Sequence, residues 1–169
     1  IWSHMANENW CMIGYHSVSV LADAVAKGLP LDKEEVLKAM VSSSTIPYLD
    51  GTGEYMEKGY VALDHNGSAA SLTLEYAYDD WTIYHTALLA GNRSVADTYK
   101  KRAANYTNVF DTNMGYARPR YADGRWKENF NLLNTHGEGF IEGNALNYSF
   151  YVPQDVDNMI RLMGGDKSF

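Results

Sequence analysis

Two long stretches of the chain are apolar on most sides and predict inner helices. In residues 10–27 the apolar positions recur at close to helical spacing, and Gly28 and Pro30 follow as stop signals. Residues 71–90 carry large side chains all round a helix. A helix that is apolar around most of its circumference is usually buried between other layers. We therefore expect both helices to lie in the interior.

Each apolar stretch is followed by an amphipathic one that predicts an outer helix. Residues 31–43 begin with a capping-box-like pair, Asp32 and Glu35, and carry a narrow apolar stripe formed by Leu37, Met40 and Val41. Residues 94–109 are charged on one side. This alternation is typical of stacked helical hairpins, closed as a toroid or open as a solenoid. No fixed sequence period favours a regular solenoid.

The remaining segments predict connections and one further short helix. Residues 43–67 are rich in glycine and form a long connection of the kind that often carries function. In residues 110–131 the pair Asp123-Gly124 is a hairpin turn signal, which predicts a small β excursion or an ordered loop. A helix is predicted from Pro153 to Gly164, with Pro153 in its first turn. Its apolar stripe consists of Val156, Met159, Ile160 and Met163. The fold class is thus mainly all-α.

Composition narrows the choice of partners. A chain of 169 residues with 46% hydrophobic residues can bury the core of one domain. The net charge of −7 and the lack of a basic run argue against nucleic acid, and no apolar stretch is long enough to cross a bilayer. The single Cys11 cannot form an internal disulfide, and we expect a small buried side chain. The 13 Tyr and four Trp residues suit sugar binding, although a tyrosine-rich core has the same composition.

Short motifs for other enzyme classes do not occur in the sequence. There is no HExxH, CxxC, GxSxG, P-loop or GxGxxG pattern, and the five His residues show no ligand spacing. The chemistry that remains is that of acids and amides among aromatic residues. Its first candidate position is Glu8, just before the first inner helix, with His16 two turns into that helix. The favoured explanation of the following Asn9 is a simple N-cap.

The second candidate position is the pair Glu75 and Asp79, four residues apart on one helix face, with Asp80 alongside. Acids in an apolar helix are costly to bury without partners. They therefore either line a cleft or meet arginines such as Arg118 or Arg120, and the sequence leaves both interpretations open.

The third candidate position is the glycine-rich segment that contains Glu138 and Glu142. The stretch FIEGNALNYSF sets Glu142 among residues typical of a core, a setting that raises a carboxylate pKa toward the range of a general acid. Glycosidic cleavage needs such an acid, with a second carboxylate acting from the opposite face of the sugar. On spacing alone, a structural glutamate that makes loop hydrogen bonds is the favoured interpretation.

Several long motifs resemble glycoside hydrolase family 92, the bacterial exo-acting α-mannosidases. They are GYVALDHNGSAASLTLEYAYDDW, GYARPRYADGRW and FIEGNALNYSFYVPQDVDNMIRLMGG, and the opening IWSHMANENWCMIGYHSVSVLADAVAKG is similar to the same family. The resemblance runs along nearly the whole chain in the correct order. It implies that residues 1–169 are an incomplete segment of an (α/α)6 toroid of helical hairpins, which lies behind an N-terminal β-sandwich domain.

The resemblance also implies an activity and a set of site residues. The activity is calcium-dependent, inverting hydrolysis of terminal α-mannosides, often α-1,2-linked, with Glu142 at the position of the general acid in the EGN motif. Leu146 stands where the family usually has Trp, so an aromatic contact near the leaving group is missing. The candidate substrate contacts are Glu8, Glu75, Asp79, Asp80 and Asn144.

By the same resemblance, the calcium ligands and the general base lie beyond Phe169. The expected partners are mannose-containing glycans and the remainder of a longer parent protein, and the expected location is periplasmic, cell-surface or secreted. The alternative is a non-catalytic helical module that binds glycans or a protein. A third interpretation is a toroidal glycosidase or epimerase whose substrate specificity differs from that of an α-mannosidase.

We expect the isolated chain to release no mannose from α-mannosides and to bind calcium weakly. An inverting mechanism needs two carboxylates about 6.5–9.5 Å apart, and only one is assigned to this segment. Assays of mannose release and calorimetric titration with calcium test both statements. Measurable hydrolysis by the purified chain would overturn the first.

Overall fold

The computed structural model describes residues 3–4, 7–8 and 12–169, with side chains from residue 12 onward. The helices are α1 (Ser17–Ala26), α2 (Lys33–Ser43), α3 (Thr52–Lys58), α4 (Ala69–Leu89), α5 (Arg93–Arg102), a 3-10 helix (Asn105–Val109), α6 (Ala145–Tyr148) and α7 (Val156–Leu162). Two short antiparallel sheets pair β1 (Ser3–His4) with β2 (Asn7–Glu8) and β3 (Phe110–Asp111) with β4 (Tyr116–Ala117). The prediction of a mainly all-α chain is confirmed.

Helix α4 is the central element, as its apolar sequence predicted. It packs against α1, α2, α5 and the 3-10 helix, and buried residues occur on all of its sides. Leu72, Tyr76 and Ile83 belong to a core shared with α1, α2 and α5. Leu74 and Ala77 belong to a second core shared with the C-terminal half of the chain. Both parts of the core therefore depend on this one helix.

Helix α1 is shorter and more exposed than predicted. It begins at Ser17, and only Val18 and Val25 are buried, whereas Val20 is 69% exposed. Gly14 adopts φ +82°, a left-handed conformation that interrupts a right-handed helix, so the segment before Ser17 is a turn. The expectations for Asn9 and Cys11 concern residues outside those that the structure describes.

The two outer helices form as predicted. In α2 the Asp32 side chain caps the helix by accepting hydrogen bonds from the backbone N–H groups of Glu34 and Glu35 at 2.9 and 3.2 Å. Leu37 and Met40 are buried beneath it. Helix α5 ends at Arg102, and the rest of the predicted stretch continues as the 3-10 helix.

The long connection contains a helix that the sequence pattern did not predict. Helix α3 lies between Gly51 and Gly59, both in the left-handed conformation, and buries Tyr55 completely. At Gly53 a Cβ atom would lie 2.6 Å from the carbonyl oxygen of Pro47, so the close approach of these two segments requires glycine.

The predicted β excursion is present as two successive turns. Strand β3 pairs with β4, and an isolated bridge joins Arg120 to Trp126 around the turn at Asp123 and Gly124. Gly124 has φ +86°, as a tight turn of this kind requires. The Arg120 guanidinium also lies 4.5 Å from the Trp126 ring centroid.

The last helix begins later in the chain than predicted. Helix α7 begins at Val156, and Pro153 lies in the preceding turn instead of the first helical turn. Met159 and Met163 are buried, but Val156 is 45% exposed. Helix α6, a single turn, was not predicted. Every helix within the described residues is too short or too polar to cross a membrane.

A buried ion pair connects the segments around α4. Asp80 is fully buried, and its Oδ2 accepts hydrogen bonds from Arg102 Nε at 2.8 Å and the Tyr55 hydroxyl at 3.0 Å. Its Oδ1 accepts from the Tyr15 hydroxyl at 2.7 Å, and Arg102 also donates to the Ser44 carbonyl at 3.1 Å. Burial raises the pKa of Asp80, and the Arg102 charge and these hydrogen bonds limit the rise to about 6.

We expect Arg102→Met to destabilise the fold by about 3–5 kcal/mol, because it leaves the Asp80 carboxylate buried without its cationic partner. Chemical unfolding monitored by circular dichroism measures the change. The matched control is Arg125→Met, which removes the exposed ion pair with Asp123 and should leave the unfolding midpoint unchanged. Equal unfolding midpoints for the two variants would contradict the stabilising role of the Asp80–Arg102 ion pair.

Candidate functional site

One face of α4 carries a polar row of Ser71, Glu75 and Asp79, spaced four residues apart. Residues at this spacing lie one above the other on a helix. Glu75 is 13% exposed in its side chain, and Asp79 is fully buried. Glu75 and Asp79 therefore share a helix face, as the sequence predicted.

His16 lies between these two carboxylates. Its Nδ1 is 2.7 Å from Asp79 Oδ1, and its Nε2 contacts Glu75 Oε2. Burial opposes the charge on the ring, but hydrogen bonds and charge interactions with Asp79 and Glu75 raise the pKa of His16 to about 10. His16 is therefore an imidazolium at neutral pH.

The sequence placed His16 at the first candidate position, near Glu8, but did not predict its contacts with Glu75 and Asp79. His16 lies 63 positions from Asp79 along the chain, and no short motif joins the two residues. The available signals were the Gly14 turn just before it and the expectation that the acids of this apolar helix need cationic partners.

The arginine that pairs with Asp80 is neither of the two that the sequence suggested. Asp80 meets Arg102, whereas Arg118 pairs with Asp111 at 2.8 Å and Arg120 donates to the Gly124 carbonyl. The suggestion of Arg118 or Arg120 is wrong. Both residues belong to the β excursion, whereas Arg102 belongs to α5, which packs on α4. With no exposed surface, Asp80 joins structural elements together, and its assignment as a substrate contact stays a prediction that this geometry does not support.

The loop of residues 137–143, called here the Glu142 loop, is hydrogen-bonded to the N-terminal end of α4. The Gly139 carbonyl accepts hydrogen bonds from the backbone N–H groups of Ala70 and Ser71 at 2.9 and 3.2 Å. The Ile141 N–H donates to the Ser71 hydroxyl at 3.2 Å. These contacts use free N–H groups of the first helical turn. Glu142 therefore follows directly on a segment that is anchored to the start of the polar row.

Glu142 itself is exposed, and the expectation of a buried setting is wrong. Its neighbours Phe140 and Gly143 are buried, but Glu142 adopts a left-handed backbone with φ +52° and reaches the surface. A non-glycine residue in this conformation is strained by about 1 kcal/mol, and such strain is frequent at functional sites. The Arg and Lys ion pairs within the described residues are made with other acids.

Tyr148 connects the Glu142 loop to the polar row. A Cβ atom on Gly143 would lie 3.4 Å from the Tyr148 ring, so the loop packs against this side chain. Burial raises the pKa of the Tyr148 hydroxyl, a contact with Ser71 lowers it, and the charges of Glu75 and Glu142 raise it further. The hydroxyl is therefore within electrostatic range of both glutamates.

Aromatic rings continue from this point along α4. The Tyr78 ring lies 5.9 Å from Tyr151 and 6.2 Å from Trp81, measured between centroids. A groove of about 490 Å³ between α1 and α4 follows Tyr78 and Trp81 toward Leu89. Rings of this kind have an apolar face and a polar edge, as a sugar-binding surface requires.

The other predicted residues are placed as follows. Asn144 is the N-cap of α6, accepts from the Asn147 N–H at 3.2 Å, and donates to the Leu133 carbonyl at 3.3 Å. Glu138 is buried and pairs with Lys127 at 3.0 Å. Glu8 lies in β2, and its side chain is outside the described residues. The structure thus brings Glu75 and Asp79 together at His16. Glu142 is related to them only through Tyr148, on which the charges of both Glu75 and Glu142 act, and Asn144 caps a helix.

Calcium prefers six to eight oxygen ligands. Among the residues that the structure describes, no group of three or more His, Cys, Asp or Glu side chains is arranged to hold a metal ion. The carboxylates of the polar row are engaged by the His16 ring. These side chains do not fit a calcium site.

We expect the stability of the fold to depend on pH through His16. Its folded pKa is raised from 6.5 to about 10, so its stabilisation is complete below pH 6.5 and is lost as the pH rises through about 10. The difference in unfolding free energy between the wild type and His16→Gln should shrink by about 5 kcal/mol over this range, because each unit of pKa shift corresponds to about 1.4 kcal/mol. Denaturant titrations at several pH values measure it, with the exposed His65→Gln as control. If the difference in unfolding free energy between the wild type and His16→Gln is constant with pH, His16 does not have a raised pKa in the folded protein.

Comparison with known proteins places this architecture. The chain is similar to a family GH92 α-mannosidase of Bacteroides thetaiotaomicron, with 39% identity and a TM-score of 0.92 over 97% of this chain and 22% of that one. The same enzyme in complex with mannoimidazole gives 37% identity and a TM-score of 0.93 over 97% of this chain and 23% of that one. A family GH92 inverting mannosidase of Bacteroides thetaiotaomicron VPI-5482 gives 33% identity and a TM-score of 0.90, again over 97% and 23%.

A curated relative is described as an uncharacterised secreted glycosidase of Arthroderma benhamiae, 25% identical over 92% of this chain and 25% of its own length. The chain thus spans between 22% and 25% of the length of these relatives. The profile of the glycosyl hydrolase family 92 catalytic domain matches residues 1–169. The chain therefore belongs to glycosyl hydrolase family 92.

Proposed function

We propose that this chain is part of the catalytic domain of an exo-acting α-mannosidase and supplies its general acid, Glu142. The observation that carries the proposal is the exposed Glu142 carboxylate, on a loop anchored to the start of α4, whose charge acts on the Tyr148 hydroxyl as that of Glu75 does. The membership of family 92 and the α-mannosidases among its solved relatives support the reaction class.

The proposed chemistry is proton transfer to the departing sugar oxygen. Glu142 donates its proton to the glycosidic oxygen while a second carboxylate activates water on the opposite face of the sugar ring. One of the solved relatives is named an inverting mannosidase, which supports this geometry. An exposed acid can reach a substrate without rearrangement of the core, and its left-handed backbone fixes where the side chain leaves the loop.

The proposed substrate is a terminal α-mannoside, with α-1,2 as the expected linkage. Glu75 is the proposed contact to sugar hydroxyls, and the buried Asp79 supports it through His16. Glu8 and Asn144 stay as predicted contacts. The relative that was solved with mannoimidazole supports a ligand of the mannose type.

The wider setting is proposed on the same grounds. Residues 1–169 are a segment of a calcium-dependent (α/α)6 toroid, whose calcium ligands and general base belong to other parts of a longer bacterial protein. Secretion is supported by the curated relative, which is described as secreted.

In the full-length protein, we expect Glu142→Gln to lower kcat on an α-1,2-mannobioside by about 10²–10⁴-fold, because the leaving oxygen then departs without a proton. On 2,4-dinitrophenyl α-mannoside, whose leaving group needs no proton, the loss should be much smaller. Steady-state kinetics with both substrates measure the difference.

The control is Glu128→Gln, which changes an exposed glutamate outside the polar row and should retain full activity. Equal losses on the two substrates, or full turnover by the Glu142 variant, would remove Glu142 as the acid. Retained mannose binding without turnover in the wild type would instead support a glycan-binding module.

A further inference from the structure

His16 occupies a position that proton donation by Glu142 does not require. Its two ring nitrogens contact two different carboxylates, Asp79 at 2.7 Å and Glu75 on the opposite side of the ring. When both nitrogens donate, the imidazole holds two acceptors at a fixed separation. The ring therefore determines where the Glu75 carboxylate lies.

The backbone before His16 is shaped to leave room for this ring. Gly14 has φ +82°, and a Cβ atom there would lie 2.7 Å from His16 Nε2, the atom that contacts Glu75. The intervening Tyr15 N–H donates to Asp79 Oδ2 at 2.8 Å. The turn is thus attached to α4 at Asp79, and any side chain at position 14 would displace the ring from Glu75.

Of the two carboxylates, Glu75 is the one that reaches toward the surface. Asp79 is fully buried and accepts from both Tyr15 and His16, whereas Glu75 is 13% exposed. The Glu75 charge acts on the hydroxyl of Tyr148, which also senses Glu142. His16 and Asp79 therefore hold Glu75 from its buried side.

We propose that His16 is a positioning residue of the mannoside site, which fixes the Glu75 carboxylate beside Tyr148 and Glu142 so that it can accept hydrogen bonds from sugar hydroxyls. This inference rests on the proposed function, because it assumes that the substrate binds next to Glu142. His16 binds Glu75 through one of its two carboxylate oxygens, Oε2. His16 itself does not touch the substrate.

Two substitutions test the proposal in the full-length protein. His16→Ala removes the ring, and Gly14→Ala keeps the ring but introduces the Cβ atom that displaces it. The matched control is Gly28→Ala, at the other end of α1, where the glycine also has a positive φ of +74° but nothing lies within 4 Å of the added atom. The control reproduces the backbone strain without crowding His16.

We expect His16→Ala and Gly14→Ala to lower kcat/KM by about 100-fold, as a small misplacement of a binding group can do. The loss should be equal for the mannobioside and the dinitrophenyl mannoside, because Glu75 contacts the sugar and not the leaving group. Gly28→Ala should retain wild-type kcat/KM. Added imidazole should restore activity to His16→Ala but not to Gly14→Ala, where the position of the ring is already filled.

Wild-type kcat/KM in His16→Ala, or a loss that imidazole does not restore, would overturn the proposal. A second measurement does not depend on turnover: in the 169-residue chain labelled at its tyrosine rings, the NMR signal of Tyr148 should shift in His16→Ala and Gly14→Ala but not in Gly28→Ala. An unshifted signal also overturns it. If the full-length wild-type protein cleaves no α-mannoside but the Tyr148 signal of the 169-residue chain shifts, the proposed function fails while the positioning of Glu75 stands.

Discussion

The hydrogen-bonded burial of the Asp80 carboxylate is the constraint on which the arrangement of the helices depends. A carboxylate without solvent contact is stable only when its oxygens accept enough hydrogen bonds. The donors come from Tyr15, Tyr55 and Arg102, which lie 65, 25 and 22 residues away along the chain. These segments must therefore pack around α4 together, since a missing donor leaves a buried charge only partly compensated.

The same constraint places the candidate site. Tyr15 binds Asp80 through its hydroxyl and Asp79 through its backbone N–H, so it has little freedom to move. The next residue is His16, which is thereby brought to the gap between Asp79 and Glu75. Asp79 and Asp80 are adjacent in sequence but point about 100° apart around the helix. One turn of α4 can therefore close the core on one side and support the candidate site on the other.

The Glu142 loop obtains its position from the free N–H groups at the start of α4 and not from burial of its acid. Ser71 links the two, because its hydroxyl accepts from Ile141 and its backbone N–H donates to Gly139. Helix α4 thus has two functions in the candidate site. Its first turn anchors the Glu142 loop, and the turns that follow carry Glu75 and Asp79. Rigid placement of an exposed acid on a buried scaffold suits a group that must meet a substrate of fixed geometry.

The sequence alone determined the helical class, the interior position of α4, the capped outer helix α2 and the turn at Asp123-Gly124, because periodicity, caps and turn residues act over a few positions. It also determined the family, since long motifs persist in order along the chain. Tertiary structure decided that Arg102 and not Arg118 pairs with Asp80, that His16 lies between Glu75 and Asp79, and that Glu142 is exposed. Those outcomes depend on contacts between residues 22 to 65 positions apart and on a left-handed backbone at a non-glycine residue, and no local pattern encodes them.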